Sequence, residues 1–85
     1  MLGGIIMKAI FENVIKALES NLKKMEENNK RIDELEVCID YYMSQEDLHS
    51  LYMATILNGQ ILELIHANMQ LYAEYDTLKK ILIIA

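Results

Sequence analysis

The chain has 85 residues, 53% of them apolar, and a formal net charge of −5. Its basic residues alternate with acidic ones, which argues against nucleic-acid binding because phosphate neutralisation needs clustered Lys and Arg. Neither end has the roughly 20 apolar residues of a membrane span, and a single cysteine, Cys38, favours a reducing compartment, so we expect a cytoplasmic protein.

The first predicted element is a helix over about residues 5–42, because the chain has no proline and three glycines. Met7 is an alternative start of the native chain, in which case residues 1–6 would be an extension before it. Steps of three and four residues predict a heptad seam that packs on another helix. This seam contains Ile15, Leu18, Leu22, Met25, Asn29, Ile32 and Ile39, with Glu36 at the remaining position. On another face, three Glu and Lys pairs four residues apart predict a solvated surface.

A second helix is predicted over about residues 45–83, with Ser44 as its N-cap and Asp47 at the capping-box position. Its seam contains Ala54, Leu57, Ile61, Leu64, Asn68, Leu71, Tyr75, Leu78 and Leu82. Beside the seam lies an outer flank, which consists of Leu51, Leu62, Ile65, Met69 and Tyr72. A helix that is apolar on roughly two thirds of its circumference is expected to be buried among several neighbours.

These patterns predict an all-α, antiparallel two-helix hairpin, similar to a coiled coil, as a single domain over residues 1–85. The excess of apolar surface predicts assembly into a four-helix-bundle dimer or a larger oligomer. The predicted oligomer interface is the second seam from Leu57 to Leu82. A turn centred near Ser44 would place Asn29 opposite Asn58, where their amides either fix the register or lie in water.

Two Glu-x-x-His units, EDLH at 46–49 and ELIH at 63–66, have a spacing that di-iron bundles use to hold metal. ELIHANMQL resembles the Glu-x-x-His-Ala-x-Met-x-Leu run of the encapsulated, two-helix branch of the ferritin-like proteins. DELE at 33–36 resembles the acidic segment of that branch's first helix. The resemblance implies an iron-binding oligomer with Glu34, Glu63 and His66 as ligands. The chain departs from the family at 61–65, where apolar residues replace charged ones around the motif.

Helical geometry opposes this interpretation, because Glu63 and His66 fall on a polar stripe that points away from the seam. The polar stripe consists of Gln45, His49, Tyr52, Ile56, Gly59, Glu63, His66, Gln70, Glu74 and Thr77. Simple pairing would also place Glu63 near Met25 and Glu26 rather than Glu34. The stripe is therefore expected to face solvent, with contact to another protein or a metal as alternatives.

The sequence thus favours a small non-enzymatic helical protein that binds itself, needs no cofactor and acts as a protein-interaction or regulatory module. Another protein is a further candidate partner. The alternative function is a ferritin-like, iron-binding two-helix oligomer.

Overall fold

The protein folds as two long helices joined by a short turn. The computed structural model describes the backbone of residues 2–84 and the side chains of residues 4 and 6–83. Helix α1 spans Leu2–Met43, helix α2 spans Leu48–Ile84, and they pack on one another as a hairpin. The molecule is a rod of 69 × 15 × 14 Å. The predicted all-α antiparallel hairpin is confirmed, and residues 2–6 continue α1, while Met1 lies outside the described residues.

The turn differs from the prediction, because Asp47 and not Ser44 is the N-cap of α2. Asp47 Oδ1 accepts a hydrogen bond of 2.7 Å from the backbone N–H of Ser50, and its Oδ2 accepts one of 3.0 Å from the Ser50 hydroxyl. Ser44 instead extends the end of α1, where its hydroxyl donates to the carbonyl of Tyr41. Glu46 then reverses the chain with a φ of 56°. The second helix therefore starts three residues later than expected.

The seam of α1 is rotated by one residue from the predicted one. Leu18, Met25, Ile32 and Ile39 face α2 as expected, and all four are half-buried. The second heptad position of the seam is occupied by Val14, Asn21, Asn28 and Leu35, where the sequence predicted Ile15, Leu22, Asn29 and Glu36. This choice puts Leu35, only 1% exposed, in the contact and leaves the Glu36 carboxylate in water. Burying an unpaired carboxylate is costly, which gives the physical reason for the rotation.

The seam of α2 agrees with the prediction at every position. Ala54 and Ile61 are buried, and the remaining seam residues are half-buried against α1. The outer flank, by contrast, is exposed along its whole length. The hairpin thus covers one apolar stripe of α2 and leaves the next one open.

The register between the helices is marked by an amide cluster in the middle of the hairpin. Asn28 donates from Nδ2 to Asn68 Oδ1 at 2.8 Å, and Asn68 donates from Nδ2 to Asn29 Oδ1 at 2.9 Å. The predicted pairing of Asn29 with Asn58 is therefore wrong. The reason is the later turn, which shifts α2 along α1 and brings Asn68 opposite the two first-helix amides.

A second amide ties the open end of the hairpin. Asn21 is buried, and its Nδ2 donates to the carbonyl oxygen of Leu71 and to Glu74 Oε2, both at 3.4 Å. Buried and half-buried amides need hydrogen-bond partners, and the observed register supplies them for both Asn21 and Asn68. These polar contacts select the register, as buried Asn does in coiled coils.

Replacing Asn68 tests this register. We expect Asn68→Ala to lower the free energy of unfolding by about 1 to 2 kcal/mol, since it removes both interhelical amide bonds. The matched control is Asn13→Ala, an exposed amide of α1 for which no side-chain partner is seen within residues 2–84; it should change the value by less than about 0.5 kcal/mol. Urea unfolding followed by circular dichroism measures both, and an effect at Asn68 no larger than the effect at Asn13 would contradict the register described above.

The Asp47 cap makes stability depend on pH in the acid range. Hydrogen bonds from the Ser50 N–H and hydroxyl lower the pKa of Asp47 from its ordinary value of 3.8, with a smaller contribution from the charge of His49. A lowered pKa means that the cap stabilises the fold fully above that ordinary value and is lost as the pH falls through the folded pKa. Asp47→Ala should lower Tm at neutral pH, and its gap to wild type should close in acid.

Asp47→Asn is the matched control for this effect, because Asn is also a good N-cap but does not titrate. The gap in Tm between Asp47→Asn and Asp47→Ala should therefore persist at low pH. A gap between wild type and Asp47→Ala that stays constant down to pH 2 would contradict the role assigned to this carboxylate.

Candidate interaction surface

The fold leaves the outer flank of α2 open. Leu62, Ile65, Met69 and Tyr72 are 59%, 42%, 64% and 63% exposed. They follow one another at steps of three and four residues, so they form a continuous stripe beside the seam. Isolated exposed apolar residues are ordinary, but a continuous stripe of large ones is typical of an interaction surface.

Helix α1 adds apolar side chains to the same side of the hairpin. An open groove of about 490 Å³ is lined by residues of both helices: Met25, Asn29, Ile32, Ile65, Asn68, Met69 and Tyr72. Ile15 and Leu22 precede Asn29 on α1 at steps of seven residues, so they share its face, and they are 45% and 48% exposed. The rotation of the α1 seam places them here rather than in the hairpin contact.

The surface that contains this groove extends along the hairpin toward the turn. A second depression on this side is lined by Ile39, Met43, Leu51, Ala54, Thr55 and Asn58. A third, at the turn itself, is lined by Tyr42, Met43, Glu46, Asp47, Leu48 and Leu51. Because Met43 and Leu51 contribute to both, the uncovered apolar surface runs along the hairpin toward the turn.

The eight residues predicted as the oligomer interface lie in the seam of α2 and not on the outer flank. Leu57, Ile61, Leu64, Asn68, Leu71, Tyr75, Leu78 and Leu82 all belong to the α2 seam that packs on α1. Their contact with a second copy stays a prediction. Within the hairpin they are partly or wholly covered, whereas the outer flank is accessible.

The polar stripe, which begins at Gln45 in the turn and continues along α2, points away from the seam, as its pattern predicted. All ten of its residues are exposed, including Glu63 and His66, although the Glu74 carboxylate accepts a hydrogen bond from Asn21 of α1. Glu34 is also exposed and accepts a hydrogen bond of 3.2 Å from Arg31. Across the described part of the chain, no group of three or more His, Cys, Asp or Glu side chains is arranged to hold a metal ion. Metal binding by Glu34, Glu63 and His66 therefore stays a prediction that would need residues from more than one chain.

Cys38 and the charged face of α1 carry no further site. The cysteine is exposed. The three Glu and Lys pairs on α1 are exposed along the helix, as expected for a solvated face. Within residues 2–84, neither helix combines the length and apolar character needed to cross a lipid bilayer.

Comparison with protein-family models, curated proteins and solved structures finds no match to this chain. The resemblance to the ferritin-like proteins therefore consists of the two short segments ELIHANMQL and DELE.

The orientation of the Glu-x-x-His unit can be tested directly. Since Glu63 and His66 are exposed in the hairpin, Glu63→Ala and His66→Ala should each change the free energy of unfolding by less than about 0.5 kcal/mol. Reconstitution with Fe²⁺ or Zn²⁺, followed by metal analysis, then separates the alternatives. Iron retained by the wild type and lost in both variants would establish the iron-binding alternative.

Proposed function

We propose that the protein is a non-enzymatic helical hairpin that binds a second copy of itself and acts as a protein-interaction or regulatory module. The observation that carries the proposal is the uncovered apolar side formed by the outer flank together with Ile15 and Leu22. The four-helix-bundle dimer is the smallest assembly that would cover this side in both copies. A single cysteine fits a reducing compartment, and we propose the cytoplasm as its location.

The exposed area supports association. The chain has 6669 Å² of accessible surface, whereas a compact monomer of the same mass would have about 5,200 Å². The excess of about 1,500 Å² is larger than the roughly 800 Å² that each partner buries in a standard protein interface. The rod shape thus exposes more surface than a compact monomer would, and a dimer interface of ordinary size would cover part of that excess.

The small core supports the same conclusion. Among the described side chains, the buried apolar residues are Val14, Leu35, Ala54 and Ile61, and only Leu35 is fully buried. Domains of this size rarely gain enough stability from one core, and oligomerisation is a common remedy. We therefore propose that folding and association of this hairpin are coupled, so that stability rises with protein concentration.

The iron-binding alternative would use the opposite side of the molecule. Glu63 and His66 lie on the polar stripe, so a dimer formed through the outer flank leaves them in water. An assembly that buries the polar stripe is needed for that function, and the apolar surface favours the flank instead.

Placing charge on the flank tests the proposal. We expect Leu62→Glu combined with Met69→Glu to convert the oligomer into a monomer, because both carboxylates would be desolvated in the interface. The matched control is Gln70→Glu with Thr77→Glu, which adds the same charge at the same seven-residue spacing on the polar stripe. Light scattering on a sizing column measures the mass.

Wild type and the control should have at least twice the chain mass of 9.9 kDa. The flank variant should also show a lower Tm, since loss of the partner removes the stabilisation that association supplies. A folded wild-type monomer at micromolar concentration would overturn the proposal.

A further inference from the structure

We infer that α2 pairs with α2 of a second copy in an antiparallel arrangement, along the outer flank and about a two-fold axis that passes beside Ala67. This inference rests on the proposed self-association and specifies its interface and register. It follows from a symmetry in the exposed face of α2. The face extends beyond the outer flank at both ends, at the same steps of three and four residues, and ten positions from Leu51 to Ile83 form it.

The apolar positions of this extended flank are placed symmetrically about Ala67. Three pairs lie at equal distances on either side of that residue, and each pair contains two large apolar side chains: Ile65 with Met69, Leu62 with Tyr72, and Leu51 with Ile83. All six are exposed in the hairpin. An antiparallel two-fold places each residue opposite the other member of its pair in the second copy, so apolar side chains meet apolar side chains throughout.

The polar positions follow the same symmetry. Asn58 and Asp76 are equidistant from Ala67, and so are Thr55 and Lys79. Asp76 is half-buried and also forms an ion pair with Lys80 on its own helix at 3.1 Å. In the antiparallel dimer each charged residue would therefore face a neutral side chain that can hydrogen-bond to it. An isologous interface requires this reciprocity, in which residue i contacts j and j contacts i.

A parallel dimer lacks this complementarity. With the axis along the helices, each residue faces its own copy, so Asp76 would oppose Asp76 and Lys79 would oppose Lys79. Like charges directly opposite one another destabilise helix pairing. The pattern of charge therefore selects the antiparallel arrangement over the parallel one.

The spacing of the pairs also fits antiparallel helix packing. In heptad terms the extended flank occupies two positions: residues 51, 58, 65, 72 and 79 share one, and residues 55, 62, 69, 76 and 83 share the other. Each pair joins a residue at one of these positions in one subunit to a residue at the other position in the partner subunit. Antiparallel helices that pack knobs into holes form layers of this mixed kind, because reversing a helix exchanges the two positions. If the two-fold axis is moved by one residue, the flank positions of the two helices no longer lie opposite one another.

The face of α2 supplies much of the area of a standard dimer interface. From Leu51 to Ile83 the helix rises about 48 Å at 1.5 Å per residue, and a single helix is roughly 10 Å across. The face of α2 alone therefore covers on the order of 500 Å² per subunit, against the roughly 800 Å² of a standard interface. Leu22 on α1, on the same side of the hairpin as Tyr72, would enlarge the contact.

Cysteine cross-linking tests the register. In a Cys38→Ser background, we compare Leu62→Cys alone, Tyr72→Cys alone, and a mixture of the two after subunit exchange. In the antiparallel dimer Leu62 faces Tyr72 of the partner subunit, and the two Leu62 positions are separated by about 15 Å along the axis. Since a disulfide needs Cα atoms within about 7 Å, only the mixture should cross-link on oxidation. Non-reducing gels and mass spectrometry identify the mixed dimer.

Glu63→Cys mixed with Gln70→Cys is the matched control, because in the proposed dimer these two positions would lie within one residue of the same height along the helices but on the polar stripe, and they should not cross-link. Cross-linking of either flank variant by itself would overturn the antiparallel register. A wild type that is dimeric by light scattering, with no cross-link in the mixture, would overturn this interface and leave self-association standing. A monomeric wild type would overturn both proposals.

A charge substitution gives a second measurement that needs no disulfide. Asn58→Lys would place a lysine opposite Asp76 of the partner subunit twice in each dimer. We expect the dimer Kd, measured by sedimentation equilibrium at low salt, to fall about fivefold. In a parallel dimer the two introduced lysines would face one another, so a higher Kd would contradict the inference.

Discussion

Two straight helices can cover each other along only one stripe, and this geometric limit governs the hairpin. Apolar residues cover roughly two thirds of the circumference of α2, so packing on α1 leaves a second apolar stripe in water. A compact domain would bring a third element onto that stripe, but the chain folds into two helices and a turn. The exposed flank is therefore a direct consequence of the architecture, and covering it requires another molecule.

The two stripes of α2 differ in character. The seam between the helices contains Asn21, Asn28 and Asn68, whose amides hydrogen-bond across the hairpin. Such contacts distinguish one register from another but add little net stability compared with apolar packing. The outer flank has four large apolar side chains in succession at its centre. In the proposed dimer, the seam supplies specificity and the flank supplies most of the hydrophobic stabilisation.

This division bears on the Glu-x-x-His unit. A three-residue spacing places a carboxylate and an imidazole on the same face of a helix, but it does not determine whether that face points into the core or toward solvent. In α2 the unit points away from both apolar stripes, and Glu63 and His66 are exposed. Metal-binding bundles need their ligands inside a core, so the spacing by itself is not sufficient to define a metal site. The sides available for association and for metal binding are different sides of one helix.

Local pattern determined much of this protein. The all-α hairpin follows from the heptads and the lack of proline, and the seam of α2, its outer flank and its polar stripe were all predictable from helical periodicity. On α1 the pattern was ambiguous, because two adjacent heptad positions each contain a mixture of apolar and polar residues. One is the position of Val14 and Leu35, and the other is the position of Ile15 and Glu36. Periodicity cannot choose between Leu35 and Glu36, since both seams satisfy the same spacing.

Tertiary structure decided what periodicity left open. The Asp47 cap moved the turn, the turn moved the register, and the register brought Asn68 to Asn28 and Asn29. Rotation of α1 then placed Leu35 in the contact and turned Ile15 and Leu22 toward the flank. The sequence by itself determined which residues form stripes, because helical periodicity is a local property. Which stripes meet was decided only in the folded chain, because the desolvation of a carboxylate and the pairing of amides depend on residues that are distant in sequence.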